Sequence, residues 1–188
     1  EGRPVVVEAT PHHLLLDESD LASLGNYGKV NPPLRSPEDR RALWEAVRDG
    51  TVDTIGTDHA PHPREAKERP YAQAPSGMPG LEAALPLLLT AMLQGALSFR
   101  RLLEITSEGA ARAFGIAHAD WVLVDTQQEN ALSDGKIISR CGWSPYVGRP
   151  LRGWPRRVWV NGRIALDRGS FAARGPGKEV AFRPAGGW

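Results

Sequence analysis

The stretch SPEDRRALWEAVRDGTVDTIGT, residues 36–57, constrains the fold more than any other part of the chain. Ser36 is placed to cap a helix, Pro37 suits its first turn, acids follow, and Gly50 stops it. Leu43, Ala46 and Val47 give that helix one apolar stripe. TVDTIGT, 51–57, then reads as a strand. An earlier run, PVVVEATP at 4–11, reads as a buried strand closed by proline. Strand, helix, strand is a βαβ signature, so the expected class is α/β with a parallel sheet.

The remaining segments extend that scheme. HHLLLDESDLASLG, 12–25, begins as a loop and becomes a short helix stopped by Gly25. Residues 26–36 form a loop stiffened by Pro32 and Pro33. Residues 58–80 make a long loop rich in proline and charge, and loops of that length are usually functional. GLEAALPLLLTAMLQGAL, 80–97, predicts a buried helix kinked at Pro86. Two short helices follow, one capped by Ser98 and the next by Thr106 or Ser107. After residue 118 the texture changes to short strands, with VNGRI at 160–164 as a hairpin signal and a loose tail from 174. The expected division is an α/β body over 1–118 and a small β module with its tail over 119–188.

Bulk properties narrow the function classes. A net charge of +1 gives no global reason to expect nucleic acid or an anionic membrane. No apolar run reaches about 18 residues, so no membrane span is expected. Cys141 is the only cysteine, which excludes an internal disulfide and a thiolate zinc knuckle and fits a reducing, cytoplasmic setting. Basic residues are nearly all arginine, with lysine only at 29, 67, 136 and 178. The chain opens without methionine inside an apolar run, the expectation for a C-terminal piece of a longer polypeptide.

In parallel α/β folds, functional groups collect past the C-terminal ends of strands. The first such end offers Glu8, Thr10, His12 and His13; the second offers Asp58, His59 and His62. Asp58 can ligate a divalent metal or take a proton from metal-bound water, or it is a capping aspartate. His59 and His62 can each ligate metal or donate to a substrate anion, or be structural. His12 and His13, being adjacent, point in different directions and do not share one metal; either is catalytic or structural. His118 and Cys141 read as structural. Asn31, held before two prolines, suits a planar polar ligand or an ordinary turn. APSGMPG, 74–80, can offer backbone groups to a ligand around Ser76 and Gly77, or is a plain connector.

Together VEATPHHLLL (7–16), GKVNPPLRSPEDRRALWEAVRDGTVDTIGTDHAPH (28–62), GMPGLEAALPLLLTAM (77–92) and SPYVGRPLRG (144–153) resemble dihydroorotase, of the cyclic amidohydrolase superfamily. The pairing of KVNPPLR with TDHAPH, Asn31 and Asp58 standing 27 residues apart, is its most specific part. The resemblance implies the C-terminal part of a TIM-like (β/α)8 barrel, strands seven and eight with their helices, beside a small β-sandwich. It implies hydrolysis of the cyclic amide of dihydroorotate, or closure of N-carbamoyl-L-aspartate, in pyrimidine synthesis, with one or two zinc ions. Asp58 would ligate metal and carry the proton to the leaving nitrogen. His62 would meet the substrate carboxylate, Asn31, Ser76 and Gly77 would hold the ring, and Glu8 matches an extra metal position of some members. The other metal ligands of the family, a His-x-His pair and further histidines, have no counterpart here. They are expected in the N-terminal half of the same barrel, without which the chain would be inactive. Dihydropyrimidinase and allantoinase are alternatives, as is a non-catalytic dihydroorotase-like partner of aspartate transcarbamoylase. Homo-oligomers also fit.

Overall fold

The computed structural model describes residues 5–116, 120–173 and 175–180. His118, read as structural from the sequence, lies outside them. β1, Glu8–Ala9, pairs in parallel with β2, Thr54–Ile55, Glu8 opposite Thr54. Pairing extends one step further back, where Asp53 and Thr54 N–H both donate to the Val7 carbonyl. The predicted strands are present but short. The expected burial of the first is a correction: Val5, Val6 and Val7 are 76, 40 and 37 % exposed, because β2 is the only strand beside them among the described residues.

Residues 12–15, expected as loop, are helical. α1, Pro11–Leu15, starts at once because Thr10 accepts the His13 N–H and Pro11 sits at the first helical position. A 3-10 turn over Glu18–Asp20 leads to α2, Leu21–Leu24, ended by Gly25. α3, Pro37–Asp49, follows the sequence reading throughout. Ser36 accepts the Asp39 N–H, Asp39 accepts from Ser36 in return, and Gly50 closes the helix in left-handed geometry. The 58–80 loop contains α4, Arg64–Lys67.

α5, Leu81–Leu93, buries Ala83 and Leu87–Leu89 and accommodates Pro86 inside it. α6, Phe99–Leu103, is capped by Ser98 as predicted. The expected cap at Thr106 or Ser107 is a second correction. A π-helical turn, Glu104–Glu108, carries the chain without a break into α7, Gly109–Phe114. The Thr106 hydroxyl bonds back to the Leu102 carbonyl instead of capping, and Arg100 bonds Glu104 and Glu108 across the turn. No described helix is long and apolar enough to cross a membrane.

Two apolar clusters hold the α/β part. One joins Ala9, Leu14, Val47, Val52, Leu88, Leu102 and Ile105, packing helices on the parallel pair. At about 1.5–3 kcal/mol for each large side chain taken out of water, these contacts dominate the energetics. The second joins Leu16, Val30, Leu34, Met78 and Leu87 with Trp143, Tyr146 and Leu151. Residues 143–151 therefore help enclose the region around Met78. Glu82 adds to this by accepting the N–H groups of Ile138 and Ser139 at 2.9 and 2.7 Å.

The later residues form β3 (Trp121–Asp125), β4 (Asn130–Ala131), β5 (Pro150–Leu151), β6 (Trp154–Val160), β7 (Arg163–Asp167) and β8 (Ser170–Phe171). β3, β6, β7 and β8 make an antiparallel sheet in that order, and β4 pairs with β5. The predicted hairpin is the β6–β7 turn, where Asn161 and Gly162 take φ of 50° and 74°. Positive φ at both positions fits a type I′ turn, which matches strand twist.

Candidate functional site

Asp58 stands three residues beyond β2, exposed, with φ of 45°. Aspartate tolerates this left-handed geometry better than most residues. Past it the chain turns back and is stitched to residues 76–81. The Ala60 N–H donates to the Met78 carbonyl at 3.1 Å. His59 Nδ1 accepts the N–H groups of Gly80 and Leu81, both at 3.2 Å. Gly80 has no side chain to cap α5, so the His59 ring satisfies that helix end from across the loop. This commits His59 to structure on one ring nitrogen.

His62 donates from Nε2 to the Ser76 carbonyl at 3.0 Å. A carbonyl only accepts, so Nε2 carries the proton, and no described bond engages Nδ1. The His62 carbonyl in turn accepts the Trp143 indole N–H at 2.8 Å. Gly77 lies against this ring. A Cβ there would stand 2.5 Å from Ala60 Cβ and 3.2 Å from His62 Nε2, and its φ of 125° favours glycine.

Residues 29–31 join the same unit. The Gly77 N–H donates to the Lys29 carbonyl at 2.9 Å. The Lys29 ammonium donates to the carbonyls of Tyr71 and Ala74 at 2.6 and 2.7 Å. Lys67 is fully buried and donates to the carbonyls of Lys29, Pro75 and Gly77 at 3.2, 3.0 and 2.8 Å. Burial, with help from the Lys29 charge, pushes the Lys67 ammonium down to about 8, which leaves it mainly charged at neutral pH. Asn31, two residues on, is exposed, and none of the described hydrogen bonds engages its amide.

Of the five residues singled out from the sequence, His62, Ser76 and Gly77 are bonded into one unit, and Asp58 and Asn31 stand one and two residues from segments bonded to it. The Gly77 N–H and His62 Nε2 hold the loop itself. The Asp58 carboxylate, the Asn31 amide and His62 Nδ1 carry no described side-chain hydrogen bond, and Ser76 is exposed. Glu8 is exposed, its carboxylate lying over Gly56.

The other candidates serve the scaffold. His13 donates from Nε2 to the Pro32 carbonyl at 3.0 Å and meets Thr10 Oγ1 through Nδ1 at 2.7 Å, so it braces the loop carrying Asn31. His12 is buried, its Nε2 without a partner among the described residues; burial and the neighbouring His13 hold it down to about 4. Cys141 bonds weakly to the Trp143 carbonyl.

Among the described residues, no group of three or more His, Cys, Asp or Glu side chains is arranged to hold a metal ion. A zinc centre does not fit these residues by themselves. A cavity of about 450 Å³ lies against the antiparallel sheet beside Asp125, Arg156 and Arg168, and none of the predicted site residues lines it.

Sequence reasoning missed Lys29, Lys67 and Trp143. One signal was present. In a chain that otherwise uses arginine, lysine marks places where a compact ammonium with three donors is needed.

No family model matches the chain. Among curated proteins, the dihydroorotase of Halobacterium salinarum is 41 % identical over 175 residues, which is 88 % of this chain and 41 % of that protein. The dihydroorotase of Thermus aquaticus is 43 % identical over 175 residues, with the same shares. Among solved structures, an L-hydantoinase (dihydropyrimidinase) from Arthrobacter aurescens superposes with a TM-score of 0.85 at 33 % identity, covering 90 % of this chain and 41 % of that one. An inactive dihydroorotase-like domain of a multifunctional protein from Chaetomium thermophilum, at TM-score 0.64 and 24 % identity over 92 % of this chain and 47 % of its own, shares the fold. The chain spans about two fifths of the length of the curated relatives it matches. By sequence the chain is similar to about two fifths of these dihydroorotases, and by fold to a like share of a hydantoinase, both cyclic amidohydrolases.

Proposed function

We propose that this chain supplies the proton-handling and ring-binding side of a dihydroorotase, as the C-terminal part of a TIM-like barrel in which β1 and β2 are the seventh and eighth strands. The reaction is opening of the cyclic amide of dihydroorotate and its reverse, closure of N-carbamoyl-L-aspartate. Water adds to the ring carbonyl carbon and the C–N bond breaks. Asp58 takes the proton that the water loses and returns it to the departing nitrogen. His62 meets the substrate carboxylate, and the Asn31 amide and the backbone at Ser76 and Gly77 meet the ring.

One observation carries this reading. In a chain 41 % identical to a dihydroorotase, Asp58 stands just past the parallel strand pair, its loop is bonded to the 76–78 segment, and that segment is bonded in turn to the one leading to Asn31. Family members are expected to use one or two zinc ions. This chain offers Asp58 toward such a centre, so the remaining ligands come from elsewhere in a complete enzyme and the chain alone is inactive.

The test is ring opening and closure, assayed for this chain alone with added zinc and for the longest polypeptide that carries it. Turnover of dihydroorotate by the longer form, lost in Asp58→Asn, supports the proposal. Turnover by the chain alone, or a preference for a ring without a carboxylate such as hydantoin, refutes it.

A further inference from the structure

Lys67 sits in a run of charge, REAKER, yet it is fully buried. Lysine is almost never fully buried unless paired, and none of the described ion pairs involves it. Its three N–H donors go instead to three carbonyls, one on the segment leading to Asn31 and two on the 75–77 loop. A methionine of similar reach would fill the same tunnel without desolvating a charge. The ammonium is therefore explained by what it holds.

What it holds sets the direction of a peptide group. In a trans peptide the C=O and the following N–H point opposite ways. With the Pro75 carbonyl turned in to Lys67, the Ser76 N–H is turned away from the buried ammonium. Between the two carbonyls that Lys67 holds, the next peptide is fixed as well, its C=O by His62 and its N–H by Lys29. Lys67 also stacks near the Trp143 ring at 5.8 Å, and Trp143 bonds the His62 carbonyl. One buried cation thus joins the segment leading to Asn31 to both ends of the 75–77 loop.

We propose that Lys67 is the positioning residue of the ring-binding loop, its ammonium fixing the carbonyls of Pro75 and Gly77 so that the Ser76 N–H faces the ligand. The proposal rests on the reading of residues 75–77 as substrate contacts. It assigns Lys67 no contact with substrate.

The experiment compares Lys67→Met with the parent in the longest polypeptide that carries this chain, alongside His62→Ala as a reference for the substrate reading. Amide hydrogen exchange is followed at 76–78 and in α5, and KM and kcat are measured for dihydroorotate. The expected result is faster exchange confined to 76–78, KM raised by about 10- to 100-fold, the worth of a lost charged hydrogen bond, and kcat little changed. Unchanged exchange at 76–78 overturns the proposal. So does a loosened loop with unchanged KM while His62→Ala raises KM. If both variants leave KM unchanged, the substrate reading fails and takes the proposal with it. Lys67→Gln, which keeps two donors, gives a partial effect and decides the matter should the methionine variant not fold.

Discussion

Gly77→Ala tests how tightly the loop is built. The new methyl faces two separate penalties. The backbone φ of 125° is one that side-chain-bearing residues rarely adopt, at about 1–3 kcal/mol. The methyl would also stand 2.5 Å from Ala60 Cβ, well inside normal carbon contact, and relieving that overlap costs about 1–3 kcal/mol more. The sum, about 2–6 kcal/mol, is a large part of the stability of an ordinary domain. The two parts separate in a double-mutant cycle. Ala60→Gly removes the atom struck and leaves the backbone strain, so the double variant should recover about 1–3 kcal/mol of coupling. Urea unfolding of the four proteins measures it, with midpoints converted at a common slope. A Gly77→Ala variant within about 0.5 kcal/mol of the parent, or a cycle with no coupling, would show that the loop yields and that the described packing does not constrain it.

Three further outcomes are expected. In the longest active polypeptide, Asp58→Asn should lower kcat by about 10²- to 10⁴-fold, the usual worth of a general acid–base group, while circular dichroism stays unchanged because asparagine also accepts a φ of 45°. His12 is held to about 4 in the folded chain against 6.5 when unfolded, so its contribution is complete above pH 6.5 and is lost as pH falls toward 4, by roughly 3 kcal/mol. His12→Leu should flatten that part of the stability–pH curve, and an unchanged curve would refute burial as the cause. Trp143→Phe strips the His62 carbonyl of its indole donor and should cost about 1 kcal/mol in urea unfolding, with faster exchange at Ala60 and Gly77.

How far the sequence disclosed this arrangement depends on whether the deciding forces were local. Ser36, Pro37 and Gly50 act within one turn of themselves, and α3 formed where they marked it. Asn161 and Gly162 likewise carry their turn geometry with them. Pro11 carries an equally local signal: the first strand ends before it, and after Thr10 it begins a helix. Val5–Val7 look like core because β-branched runs usually are, but burial is a property of neighbours, and one strand is not enough to cover them. Asp58, His62, Asn31, Ser76 and Gly77 were legible as polar or flexible residues past strand ends. Which of their atoms remain free was not, since that depends on carbonyls brought from residues 29, 75 and 77 to a lysine at 67.

Under the proposed function, the stitching of residues 75–77 also bears on how the ring is received. Fixing the backbone of a mobile loop costs about 1–2 kcal/mol per residue in lost conformational freedom. Here the His62, Lys29 and Lys67 bonds order those residues during folding, so that entropic penalty does not recur when a small ring arrives. The same rigidity makes the wall a poor mimic of other shapes. A ring of different size meets a surface that does not remould around it, and discrimination comes from misfit in a prebuilt mould rather than from a closing movement.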